Sequence, residues 1–234
     1  GQGAAWWSEG WQVFMAAPGI WIAIILVFVL IMLGLAFVPI LGSIAGSVLT
    51  PVFGGGIALG CHALAKGRPL TLGHLFEGFS GARFMPLVIV GLIYLGAMFV
   101  LWIAVAPVVL GGAGGAGLFS ALSSDASQMG MALLSSIGIV ALVMAPLAMV
   151  AVAALTMAYW FAPPLIVLNG EEPIAAMKKS FRACWVNVGA TLVYGLIWIG
   201  LAIVASIPFG LGWIVLAPVM AGSWYASWRE TFDA

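Results

Sequence analysis

Charge is what this chain has least of. Asp, Glu, Lys and Arg make up 6% of its 234 residues, against 65% hydrophobic ones, and a mean hydropathy of +1.24 excludes a domain dispersed in water. Seven Lys and Arg balance seven Asp and Glu, so no basic excess points to a nucleic-acid partner. Every one of these charges falls between apolar runs or at a terminus, and none lies deep inside a run. That argues against proton relays and ion-coupled carriers, which place ionisable groups within the bundle. Cysteine is scarce too: Cys61 and Cys184 are the complete set, both expected at cytoplasmic helix ends, where a disulfide is disfavoured.

What the chain has instead is length of apolar sequence. Six runs reach the roughly 20 residues that cross a bilayer core, near 18–38, 43–65, 86–109, 131–162, 188–208 and 210–228. The expected fold is therefore all-α, a single integral membrane domain over residues 1–234 with six transmembrane helices. Lys66, Arg68, Arg83, Lys178, Lys179, Arg182 and Arg229 all fall on one side of these runs. By the positive-inside rule that side is cytoplasmic, with both termini inside.

An internal repeat organises the runs. "GLIYLG" at 91–96 returns as "GLIWIG" at 195–200, and the same offset pairs Pro69 with Pro173. "LTPVFGGG" at 49–56 is echoed by "LAPVMAGS" at 216–223 and more loosely by "MAPLAMVA" at 144–151. Each even run thus carries an internal proline, Pro51, Pro146 or Pro218, followed mostly by small residues such as Gly54, Gly55, Gly56 and Gly222. Each odd run is preceded by an amphipathic stretch, near 6–17, 70–84 and 173–186. Their apolar faces are Trp7, Trp11, Phe14 and Met15; Leu72, Leu75, Phe76 and Phe79; and Ile174, Met177, Phe181 and Cys184. Each reads as a helix lying in the inner interface. Interface helix, odd span, outer turn and even span then form a unit used three times.

Two readings fit the small, bent even spans. Gly42 and Gly46, and Gly56 and Gly60, have the spacing that lets membrane helices pack closely, and Thr50 stands ready to satisfy a carbonyl freed by Pro51. Alternatively, matched broken helices line a substrate site near the midplane. A polar cavity reaching Thr50 and Thr156 is what that second reading expects.

Other chemistry finds little support. Cys61, His62, His74 and Cys184 could in principle hold zinc or copper, but the spacing is poor, and a buried cysteine with interfacial histidines accounts for them equally well. No nucleophile elbow, zincin helix or phosphate loop occurs, so neither an enzyme nor a cofactor is expected. "GGAGGAG" at 111–117 reads as a flexible outer linker. On the connector after the fourth run, Lys178, Lys179 and Arg182 with Trp185 form a basic face suited to lipid headgroups or a partner, or serving only to fix orientation.

"WFAPPLIV", "GEEPIAAMKKS" and "ACWVN" in that connector, with "GWQVF" at 10–14, "VPILG" at 38–42 and "VYGLIW" in the fifth run, resemble a family of small bacterial inner-membrane proteins, mostly proteobacterial and without an established activity. The resemblance covers about residues 8–228 and implies an inner-membrane location and a six-span fold. The expected function is non-enzymatic: an accessory or assembly subunit in contact with lipids and other membrane subunits. The alternative is a conduit for a neutral or lipid-like substrate.

Overall fold

The computed structural model describes residues 2–122 and 144–233. They form α1 (Gln2–Ala16), α2 (Pro18–Ala36), α3 (Leu41–Ala65), a 3-10 segment (Leu72–Phe79) with a further 3-10 turn (Gly81–Arg83), α4 (Phe84–Leu122), α5 (144–160), α6 (Ala162–Asn169), α7 (Pro173–Val186), α8 (Val188–Ser206) and α9 (Trp213–Phe232). No strand occurs among the described residues. Residues 131–143 of the fourth expected span lie outside them. Contacts divide the chain into two units, Gly1–Ile93 with Met157–Ala234, and Tyr94–Thr156.

Among the described residues, five helical stretches are long and apolar enough to cross a membrane: Pro18–Ala36, Leu41–Ala65, Gly81–Ala106, Met144–Asn169 and Val188–Ser206. The sixth expected run falls in α9, which is helical but less apolar. The reason is its position. Gly222, Ser223, Tyr225, Ser227 and Trp228 of α9 are buried against other helices, so this helix needs small and hydrogen-bonding residues more than lipid-compatible ones.

α9 packs chiefly on α1. The two run antiparallel, with Glu9 paired to Arg229 at 2.6 Å and the Trp6 indole donating to Glu230 at one end. Further along, Gly222 lies so close to α1 that a Cβ there would stand 2.9 Å from Val13 Cβ and 3.0 Å from Gly10 Cα. Trp7 stacks on Tyr194 of α8 at 4.8 Å, and the Tyr194 hydroxyl meets Ser223 Oγ at 2.9 Å. The buried face of α1 is Trp6, Trp7, Gly10 and Phe14, whereas Trp11 and Met15 are exposed. This helix is therefore held by protein on the side where the sequence pattern expected two further apolar residues.

α3 is the hub of the first unit, and its glycines explain how. Consecutive residues point about 100° apart around a helix, so Gly54, Gly55 and Gly56 clear three different sides. Gly54 faces Pro163 and Trp224, each 3.8 Å from a built Cβ; Gly55 faces Leu87 and Val167, each 2.9 Å away; Gly56 faces the Leu75 carbonyl at 2.6 Å. Gly60 adds room for Leu70, and Gly78 of the 3-10 segment presses on the Val52 carbonyl. Gly56 and Gly60 thus receive the segment after α3 rather than another spanning helix. That segment was expected to be an α-helix but winds as 3-10, whose tighter coil lets its backbone approach α3.

In the second unit, Phe99 and Trp102 stack at 6.5 Å, and Phe99, Val100, Trp102, Leu147, Met149 and Val150 are exposed. The "GGAGGAG" stretch is not a flexible linker: it continues α4 to Leu122. Ala113 and Ala116 interleave its glycines, Leu110 and Leu118 flank them, and a helix closes its own backbone hydrogen bonds where water is scarce.

Candidate functional site: an apolar cleft beside a broken helix

Between α5 and α6 the helix breaks, because Pro163 and Pro164 have no N–H to offer the carbonyls of Tyr159 and Trp160 four residues back. The Trp224 indole of α9 donates to the Trp160 carbonyl at 2.8 Å. One turn earlier, Ser180 of α7 stands inside a helical hydrogen bond. The Phe161 N–H donates to Ser180 Oγ at 2.8 Å, and the Ser180 hydroxyl donates to the Met157 carbonyl at 2.6 Å. These two backbone groups would bond each other in an unbroken helix. Ser180 is wholly buried, so α7 and α9 together clamp the break.

Beside it lies a cleft of about 550 Å³. Ile25, Phe28 and Val29 of α2 form one wall, Phe53, Gly54 and Ile57 of α3 a second, and Trp213, Ala217, Met220 and Trp224 of α9 a third, with Tyr159 and Trp160 at the break. From Trp213 to Trp224 it extends about 16 Å along α9, at 1.5 Å per residue. Leu26 and Val29 on its rim are 46% and 43% exposed, so it opens sideways. Phe53 meets Phe28 at 5.4 Å and Phe79 at 5.0 Å, both edge-on.

Several polar groups around the cleft are already engaged. The Thr50 hydroxyl donates to the Gly46 carbonyl at 2.7 Å, and Trp213 Nε1 donates to Ser206 Oγ at 3.2 Å. The cavity is apolar and does not include Thr156, so it differs from the polar path expected of a midplane substrate site. Hydrocarbon suits it; a polar solute would lose its hydration there without replacement partners.

Of the expected site residues, Thr50 and Gly54 line the cleft. Pro51 and Pro218 are buried; Gly91 of α4 presses on the bend of α3, where a built Cβ would lie 2.6 Å from the Val48 carbonyl and 3.1 Å from Pro51 Cγ. Gly42 closes the α2–α3 turn against the Leu35 carbonyl, and a Cβ built on Gly46 would lie 3.8 Å from Met32 Sδ. Pro146 belongs to the second unit and is exposed. Lys178, Lys179, Arg182 and Trp185 are exposed on α7 and do not line the cleft.

The four metal-type residues have separate partners. The Cys61 thiol points to the Ala221 carbonyl at 3.8 Å, His62 Nδ1 meets the Tyr225 hydroxyl at 3.0 Å, and His74 Nδ1 caps its own 3-10 segment through Thr71. Cys184 points to the Met157 carbonyl at 3.7 Å. Burial pushes its thiol up to about 11, so it stays protonated at neutral pH. Among the described residues no three His, Cys, Asp or Glu side chains gather as metal ligands.

Pro163, Pro164, Ser180, Trp160 and Trp224 were missed by reading the sequence. The adjacent prolines were a visible signal, since two missing donors inside an apolar run mark a break. Nothing local marks Ser180 or Trp224 as the groups that repair it.

A protein of Burkholderia thailandensis named "Probable inner membrane protein" is 30% identical to this chain over 227 residues, covering 96% of the chain and 80% of the relative. No family model matches the chain, and no solved structure does.

Proposed function

The chain belongs to the bacterial inner-membrane protein family of that Burkholderia relative, and from this we propose that it is a non-enzymatic, multi-pass accessory or assembly subunit acting through lateral contacts in the membrane. The observation that carries the reading is the cleft: it is apolar, it opens sideways, and it is framed by helices whose polar groups are occupied by one another. Such a surface suits an apolar segment of a neighbouring membrane subunit.

In this reading α9 is a sixth span shielded by α1, α2, α3 and α8, and the unit of interface helix, odd span and even span is used three times along the chain. Both termini are cytoplasmic. The antiparallel pairing of α1 and α9 supports a shared side for the termini, and the placement of Lys and Arg supports the cytoplasmic one.

The test is photo-crosslinking in native membranes from a residue placed at Val29, on the cleft rim, against one at Leu196, on exposed α8. A discrete polypeptide captured from position 29 and not from 196 is the expected result. Capture from both positions alike, or of no polypeptide, would sink the subunit reading.

A second reading rests on the two buried prolines in α3 and α9, whose helices form two of the walls of the cleft. Helices bent in this way suit a conduit for a lipid-like substrate. Capture of lipid alone from position 29 would move the weight there.

A further inference from the structure

The cleft is not the part of the surface with the most specific chemistry; α7 is. It connects the polar ends of two candidate spans, with Asn169 to Glu172 before it and Asn187 after it. One face, Pro173, Ala176, Met177, Ser180 and Cys184, is buried. Through Ser180 and Cys184 that face is fastened to the broken helix, which leaves the opposite face of α7 uncovered.

The other face combines two properties that seldom share water-exposed surface. Ile174 is 60% exposed and Trp185 65%, and Phe181 stacks on Trp185 at 6.1 Å. Next to this apolar edge stand Lys178 and Arg182, one helical turn apart and both exposed. Lys179 is held by Glu171. Neither Lys178 nor Arg182 has an ion-pair partner among the described residues.

We infer that this face of α7 binds the headgroups of anionic phospholipids. Ile174, Phe181 and Trp185 sit at the depth of the acyl boundary, where amphipathic rings are favoured. Lys178 supplies a point charge and Arg182 a planar fork of donors, both suited to a phosphodiester. A soluble acidic protein would answer the two cations but leave the apolar edge beside them in water. The lipid answers both, and α7 leads directly into α8, a candidate span that begins at Val188.

The experiment is a lipid titration followed by native mass spectrometry on the full chain in mild detergent. The probes are phosphatidylglycerol and phosphatidylethanolamine with the same acyl chains. Phosphatidylglycerol is expected to bind more tightly, and 0.5 M salt in a parallel thermal-shift titration is expected to erase its advantage, because exposed charges are strongly screened at that ionic strength. Lys178→Gln with Arg182→Gln should weaken phosphatidylglycerol by about 25-fold, about five-fold for each charge. Lys178→Arg with Arg182→Lys should largely retain it. Lys66→Gln with Arg68→Gln, which removes equal charge elsewhere, should leave it within about two-fold.

Equal uptake of both lipids by the unaltered protein would overturn the inference, independently of how any variant folds. So would an unchanged affinity in the α7 pair, or an equal fall in the control pair. Loss of a co-purifying polypeptide with lipid binding unchanged would assign the face to a protein instead.

Discussion

α3 and α8 are both long and apolar enough to cross a membrane, yet they occupy opposite environments. Within the apolar window of each, 44% of α3 is buried inside the protein and 11% of α8. The more hydrophobic of the two is α8, with a hydropathy of 2.2 against 1.6. Hydrophobicity here marks the perimeter, because lipid tails accept Leu and Ile at no cost, while the centre selects for small residues that let backbones meet. The glycines make the same point. Gly55, Gly56 and Gly60 of α3 have neighbours closer than 3 Å to a built Cβ, and Gly189, Gly195 and Gly200 of α8 have none within 4 Å.

Gly56→Leu should break this arrangement most severely. Its first added carbon already lies 2.6 Å from the Leu75 carbonyl, and backbone cannot rotate aside as a side chain can. We expect a loss at or beyond about 3 kcal/mol, the upper end of ordinary overpacking, read as failure to yield a monodisperse protein. Gly54→Leu, two residues away, sharpens the test. A Cβ there meets Pro163 and Trp224 at 3.8 Å, an ordinary contact, and the longer chain projects toward the cleft. That variant should remain monodisperse while the crosslink from position 29 disappears. Equal behaviour of the two variants would refute the assignment of separate faces to Gly54 and Gly56.

Ser180→Ala probes the clamp. It leaves the Phe161 N–H and the Met157 carbonyl buried without the hydroxyl that bridges them, at about 1–3 kcal/mol if neither finds another partner. A several-degree fall in thermal midpoint is expected. No fall would mean that the break can close into a continuous turn, and that Ser180 is a guest in the helix rather than its support.

Much of this fold was legible in the sequence for a simple reason: apolar runs bounded by charges report bilayer crossing directly. An all-helical, multi-pass inner-membrane chain follows from them. The site was less legible, because a small residue announces close approach without saying to what. Gly56 and Gly60 have the spacing of a helix–helix contact, and their neighbour is a 3-10 segment. "GGAGGAG" has linker composition, and it is helical. Ser180 and Trp224 look like any serine and any interfacial tryptophan until Pro163 and Pro164 bring broken backbone beside them. Phe181 and Ile174 were assigned to the apolar face of α7 with Met177 and Cys184, whereas the structure buries the latter two with Ala176 and Ser180. Ser180 and Cys184 lie on the buried face because their short side chains reach the broken backbone at Met157 and Phe161.

The repeat offers the smallest and most discriminating test. Gly91 and Gly195 occupy matching positions in "GLIYLG" and "GLIWIG", so a repeat read literally would give them one role. Gly91 is pressed between the Val48 carbonyl and Pro51, and Gly195 has open space. In α8, then, glycine brings only its helix-weakening flexibility, and Gly195→Ala should be neutral or stabilising by up to about 1 kcal/mol. Gly91→Ala carries the same propensity gain but must displace the bend of α3, so its sign should reverse. Thermal unfolding of the two variants side by side in one detergent reads the difference. Opposite signs would mean that the two matching stretches share a pattern and differ in packing duty; a matching loss in both would mean that Gly195 is packed as tightly as Gly91.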